Sequence, residues 1–172
     1  MQKKKQIARQ QNFFDTCSNC QTNWSCCHET TPPVTVRRRK IIEIFLNKNN
    51  IQIENPFVRT DYLFPRLGKD GYCVFHDRKT RKCIIHSVKP ETCVAGPITF
   101  DIDHKTGKPV WFIKMDCICP LAALVYENKA TLRKHLKSAE KEISMLLEGL
   151  DPLELAAILK KDEPETFRLN DV

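Results

Sequence analysis

From Val34 to Lys48 apolar residues stand four apart, Ile41 with Phe45 and Ile42 with Leu46, which places each pair on one side of a helix. The polar run Asn47-Lys48-Asn49-Asn50 ends it. A longer helix is predicted further on: Leu132, Leu136, Ala139, Ile143, Leu146 and Leu150 recur at alternating steps of four and three and form one buried stripe. Asp151-Pro152 then starts a second helix, because Asp can cap it and proline suits its first turn. Its face of Leu155, Ile158 and Leu159 folds back on the first helix or meets a partner. Between these helical regions the period changes. Ile98 to Asp103 and Pro109 to Lys114 flank the turn sequence Asp103-His104-Lys105-Thr106-Gly107-Lys108, which predicts a β-hairpin with glycine available for a positive φ. Residues 51 to 68 scatter Pro56, Pro65 and Gly68 among short apolar pieces and predict an irregular connection over the core, with Phe57, Tyr62 and Phe64 as packing residues.

These elements predict an α+β fold: a small, irregular, cysteine-rich, metal-stapled domain with a short β-hairpin and C-terminal helices. The expected organisation is a basic N-terminal tail over residues 1–15, a cysteine-cluster metal-binding domain over 16–125, and a C-terminal helical extension over 126–172 packing on it. A chain of 172 residues and 20.0 kDa suits one domain of modest apolar content, whose stability metal would supplement. Met1-Gln2-Lys3-Lys4-Lys5 leads into no apolar run of signal-peptide type, so a cytoplasmic location is expected. No stretch approaches the roughly 18 consecutive apolar residues of a membrane span, so no membrane is expected among the partners.

Nine cysteines dominate the chemistry. In a reducing compartment disulfides do not persist, which leaves metal binding as the main use of clustered thiols and redox chemistry as the lesser one. Four of them, Cys17, Cys20, Cys26 and Cys27, fall in eleven residues; the others are Cys73, Cys83, Cys93, Cys117 and Cys119. All nine are candidate metal ligands. The spacing Cys17-x2-Cys20 lets two sulfurs of one tight turn reach one ion, so the remaining ligands must come from elsewhere in the chain. Side chains of neighbouring residues diverge in regular backbone, so Cys26 and Cys27 are expected to serve one ion together only if the chain is irregular there. His28 follows directly and competes for a coordination position, although a surface histidine is the plainer reading. Nine residues separate Cys73 from Cys83 and Cys83 from Cys93, an interval that fits a hairpin followed by a turn. Pro90 suits the start of a short helix bearing Cys93, whose N-terminal amides would favour a thiolate. Cys117-Ile118-Cys119-Pro120 ends in Cys-Pro, a dipeptide common among iron–sulfur ligands.

Charge changes the picture less than it first suggests. The formal +7 counts every thiol as neutral. A zinc ion or a four-iron cluster held by four thiolates carries about −2, and two such centres would leave about +3. Arg37-Arg38-Arg39-Lys40 and Arg78-Lys79-Thr80-Arg81-Lys82 are candidates for compensating buried anionic centres, or else solvated charged faces.

The pattern Cys-x2-Cys-x5-Cys-Cys, followed by Cys83-Ile84-Ile85-His86-Ser87-Val88-Lys89-Pro90-Glu91-Thr92-Cys93, resembles the YkgJ or CxxCxxCC cysteine-cluster family of zinc- or iron-chelating proteins. The likeness covers roughly residues 16 to 125. In that family the middle segment tends to carry Tyr where His86 stands and Arg where Lys89 stands; both departures lie beside the expected ligands rather than on them. Val94 to Asp101 looks like an archaeal-type branch. The family also resembles a segment of flagellin lysine N-methylases, which implies a link to methyl transfer from S-adenosylmethionine.

Three classes of function follow. The leading one is a metal-binding protein holding iron–sulfur clusters or zinc, in electron transfer, cluster handling or assembly with a protein partner that the C-terminal helices could meet. The second is an enzyme related to protein lysine N-methyltransferases, with no catalytic residue assignable. Against it, Gly68, Gly71, Gly96, Gly107 and Gly149 form no nucleotide cradle, and no Cys-x3-Cys-x2-Cys motif for radical chemistry is present. The third, a nucleic-acid-binding zinc module, is suggested by a pI near 9.0 but lacks finger spacing and a basic aromatic sheet, so nucleic acid is the less expected partner. One Cys-x2-Cys knuckle with dispersed single cysteines tilts the cofactor toward iron–sulfur over zinc. Nine thiols allow two centres with one spare, or one centre and a reactive group. In the arrangement expected, Cys17, Cys20, one of the vicinal pair and a partner from 73 to 93 form one site, and the remaining middle cysteines join Cys117 and Cys119.

Overall fold

Thr35 sets the start of the first helix, its hydroxyl accepting from the Arg38 amide at 3.0 Å, and α1 runs Val36–Lys48. The structure, a computed structural model, describes residues 26–161 and 165–169, and the fold is α+β. The basic tail and the Cys17–Cys20 knuckle lie outside the described residues. Of the two apolar pairs in α1, Ile42 and Leu46 are buried while Ile41 is exposed. The helix rests on the core along a narrow stripe, so only the residues at that azimuth are covered.

The connection after α1 is more regular than its prolines suggest. Strands β1 (Phe57–Arg59) and β2 (Leu63–Pro65) pair antiparallel in the register Phe57 to Pro65 and Arg59 to Leu63. Strands β3 (His76–Asp77) and β4 (Lys82–Cys83) form a second small ladder with Cys83 opposite His76. The Asp77 carboxylate holds its turn by accepting from Lys79 N at 2.9 Å and Thr80 Oγ1 at 2.7 Å. A 3₁₀ turn, His86–Val88, leads to α2 (Glu91–Ala95), which begins directly after Pro90.

The predicted hairpin is β5 (Ile98–Ile102) and β6 (Pro109–Lys114), with Ile98 opposite Ile113; Gly107 has a φ of +67° in its turn. A third strand, β7 (Thr166–Arg168), pairs antiparallel with β6. Helices α3 (Leu121–Tyr126), α4 (Lys129–Gly149) and α5 (Pro152–Leu159) lie between β6 and β7. Asn128 caps α4, and Asp151 with Glu154 forms a reciprocal capping box on α5.

Two apolar cores result among the described residues. One joins the α4 stripe of Leu132, Ala139, Ile143 and Leu146 to Ala95, Ile98, Phe100, Ile113, Ala122 and Val125, with Leu155 and Leu159 of α5 folded onto it. The other joins Val34, Ile42 and Leu46 to Leu63, Phe75, Ile85 and Cys73. Polar contacts stitch the cores together. Thr35 Oγ1 donates to Glu91 Oε1 at 2.7 Å, Arg38 Nε stands 3.7 Å from the same oxygen, and Arg38 also pairs with Glu142 of α4. On the far side of α2, His135 Nε2 donates to the carbonyls of Ala95 and Gly96 at 3.0 and 3.1 Å.

Burial lowers the His135 pKa. The unfolded chain therefore takes up a proton near the usual histidine range while the folded one does not, so stability falls as pH drops through that range. Urea midpoints measured at pH 7.5 and 5.5 should show this loss, with a limiting slope of about 1.4 kcal/mol per pH unit. His135→Gln should shrink it.

Candidate metal centre

Backbone hydrogen bonds bring the cysteine segments together before any side chain is considered. Cys73 N donates to Cys27 O at 2.8 Å, and Glu29 N donates to Gly71 O at 2.8 Å, so the 26–29 loop is zipped to the 71–73 segment. Gly71 is required there: its φ is +78°, and a Cβ would stand 3.0 Å from His28 Nε2. The β3–β4 hairpin then carries Cys83 back, His76 N donating to Cys73 O and Ile84 N to Phe75 O, each at 2.9 Å. Cys93 lies inside α2, which Glu91 anchors to α1.

Five thiols consequently share one neighbourhood. Cys73 is buried in the second core, and Cys27 and Cys83 pack against it. Cys26, Cys83 and Cys93 each act on others of the group through charge, so four chain segments meet at one place. Cys26 and Cys27 occupy a turn, not a helix or strand, and their side chains are hydrogen-bonded to each other. The divergence expected of neighbouring residues applies to regular backbone and does not hold here.

The pair is nevertheless unequal. The hydrogen bond from Cys27 brings the Cys26 pKa down to about 6, with help from Lys89 and Lys114 and against the cost of burial. The same bond, then burial, then the nearby Cys26, Cys93 and Cys83 push Cys27 upward. Burial pushes Cys83 up to about 12 and raises Cys73 and Cys93 as well. In metal-free protein at pH 7, iodoacetamide should therefore alkylate Cys26 well before Cys27, with a rate that titrates near pH 6. Peptide fragmentation mass spectrometry reads the order directly, and preferential labelling of Cys27 would contradict it.

The cations that act on these thiols are only partly those of the two basic runs. Lys89, 7% exposed, lowers the pKa of Cys26, Cys83 and Cys93. Arg78 acts on Cys73 while donating to both oxygens of Asp70 at 2.6 and 2.9 Å and lying 4.6 Å over the Tyr72 ring. Arg38 is committed to Glu91 and Glu142, and Arg39 to Glu43. His28 stands edge-on to Tyr72 at 4.5 Å, and His76 stacks on the other side of that ring at 4.8 Å.

Cys117 and Cys119 sit in a turn between β6 and α3. Cys119 packs against the helical core, and the exposed Cys117 donates to Glu165 Oε2 at 3.1 Å, a bond that raises its pKa. Lys89 and Glu91 carry no metal-ligand signature in sequence. Lys-Pro-Glu before a cysteine was the one local sign of their place.

The donor set is chemically suited to a soft metal: thiols of graded acidity, cations at hand to offset thiolate charge, and an apolar core behind. Among the described residues no three Cys, His, Asp or Glu side chains stand at the spacing that holds a single ion. A thiol-rich α+β domain with converging cysteine segments is thus the class that fold and site define. The chain belongs to the CxxCxxCC family, whose model matches residues 16–120 and is described as "Putative zinc- or iron-chelating domain". No curated protein and no solved structure matches the chain.

Proposed function

We propose that the protein holds an iron–sulfur centre through its clustered cysteines and works in electron transfer, cluster handling or cluster assembly with a protein partner. The observation that carries this is the spread of the five thiols. They come from four segments and act on one another through charge. Beside them the sequence has a single Cys-x2-Cys knuckle and a Cys-Pro dipeptide, a donor pattern closer to iron–sulfur ligation than to the paired knuckles of structural zinc. When bound, such a centre supplies one-electron chemistry; the chain's own residues supply thiolates, the Lys89 and Arg78 charges, and an apolar wall of Ile42, Leu46 and Phe75.

Anaerobically purified protein should show broad absorbance near 400 nm, with iron and acid-labile sulfide in matching amounts. Stoichiometric zinc without sulfide would replace this reading with a structural zinc site.

A further inference from the structure

We infer that the outward face of α1 is a docking surface for a protein segment that carries carboxylates around an apolar residue. Arg37, Lys40, Ile41, Ile44 and Lys48 follow one another at helical spacing and share the side of α1 opposite the buried Ile42 and Leu46. Ile44 lies at the middle of that side and is 66% exposed; Ile41, three residues before it, is 39% exposed. A lone exposed aliphatic residue needs no explanation, but two adjacent isoleucines within a row of three cations do.

Charge identifies the occupant. Arg38 and Arg39 of the same helix have carboxylate partners, whereas among the described residues none pairs with Arg37, Lys40 or Lys48. Glu43, the helix's one acidic residue, is held by Arg39 on the flank at 2.7 Å. Among the described residues the face is therefore a positive field without carboxylate partners and with an aliphatic centre, complementary to acidic side chains around a Leu, Ile or Met. A membrane-lying helix separates its apolar and basic faces and favours aromatic anchors; here cations and isoleucines share one azimuth and the face has no aromatic residue. Nucleic acid would use the cations but leave Ile44 without a role.

The face also lies well for the centre. The inner side of α1 packs on the core that contains Cys73 and against which Cys27 and Cys83 rest, so α1 stands between a docked segment and that core. This surface stands whichever metal the centre holds.

The test uses full-length, metal-loaded protein and a fluorescein-labelled amphipathic helical peptide whose leucine stripe is flanked by glutamates. Anisotropy should rise saturably and weaken as salt increases. Ile44→Glu, and separately the pair Arg37→Glu with Lys40→Glu, should each reduce affinity by about tenfold or more. Lys134→Glu on the exposed side of α4 should leave it unchanged, and all variants should keep their metal content. Absence of saturable binding, equal binding by the Ile44→Glu variant, or tighter α1-dependent binding to phosphatidylserine vesicles or duplex DNA would overturn the inference.

Discussion

Protein stripped of metal by chelation under reducing conditions is expected to lose the fixed tertiary structure of its cysteine half while α4 stays helical. The second core is small. Besides Cys73 its fully covered members are Val34, Ile42, Leu46, Leu63, Phe75 and Ile85, and the ladders around it are two or three residues long. Ladders of that length are not stable alone, so this half depends on what its thiols bind. Structural metal can contribute on the order of 10 kcal/mol, more than many domains possess in total. The helical core contains no member of the five-thiol group and has the 21-residue α4. Near-ultraviolet circular dichroism from Tyr62 and Tyr72 should therefore collapse on chelation, while much of the far-ultraviolet helical signal and the environment of Trp111 persist. Chelated protein with unchanged near-ultraviolet dichroism and melting temperature would show that metal is not part of the fold.

Arg38→Ala should cost about 3–5 kcal/mol. Glu91 is 2% exposed, and its charge is met by Arg38 and the Thr35 hydroxyl; its second oxygen has no hydrogen-bond partner. Removing the guanidinium leaves a buried carboxylate uncompensated and sets Glu142 free beside it. Glu91→Gln removes the charge but keeps an oxygen for Thr35 to donate to, so the double variant should lose markedly less than the sum of the single ones. Urea denaturation of the four proteins closes the cycle. Because Glu91 stands two residues before Cys93, the Arg38→Ala variant should also bind metal more weakly.

What was legible in sequence was what is local. The α4 stripe, the Asp151-Pro152 helix start and the β5–β6 turn at Gly107 each announce themselves within a few residues, and the structure has them. The cysteine spacing identified the family for the same reason. Strand β7 was not legible: Thr166–Arg168 is a strand only because β6 offers it an edge more than fifty residues earlier. The β1–β2 ladder was hidden by Pro56 and Pro65, which mark irregular chain in isolation but sit tolerably at the ends of a two-stranded pair. Glu91 and Lys89 were hidden more deeply. A glutamate reads as a surface residue until Arg38 and Thr35, over fifty positions away, make its burial tolerable. The exposure of Ile41 was equally invisible, because periodicity gives a stripe but not its width.

The stitch from Arg38 to Glu142 fixes an order of events during synthesis. Cys26 through Cys93 have all been made before the residues of α4 that close over α2, and about 50 residues separate Cys93 from Glu142. At roughly 5–20 residues per second the ribosome needs about 3–10 s to cover that interval. For those seconds the five thiols are present without the helix that completes their support, open to metal and to oxidant alike.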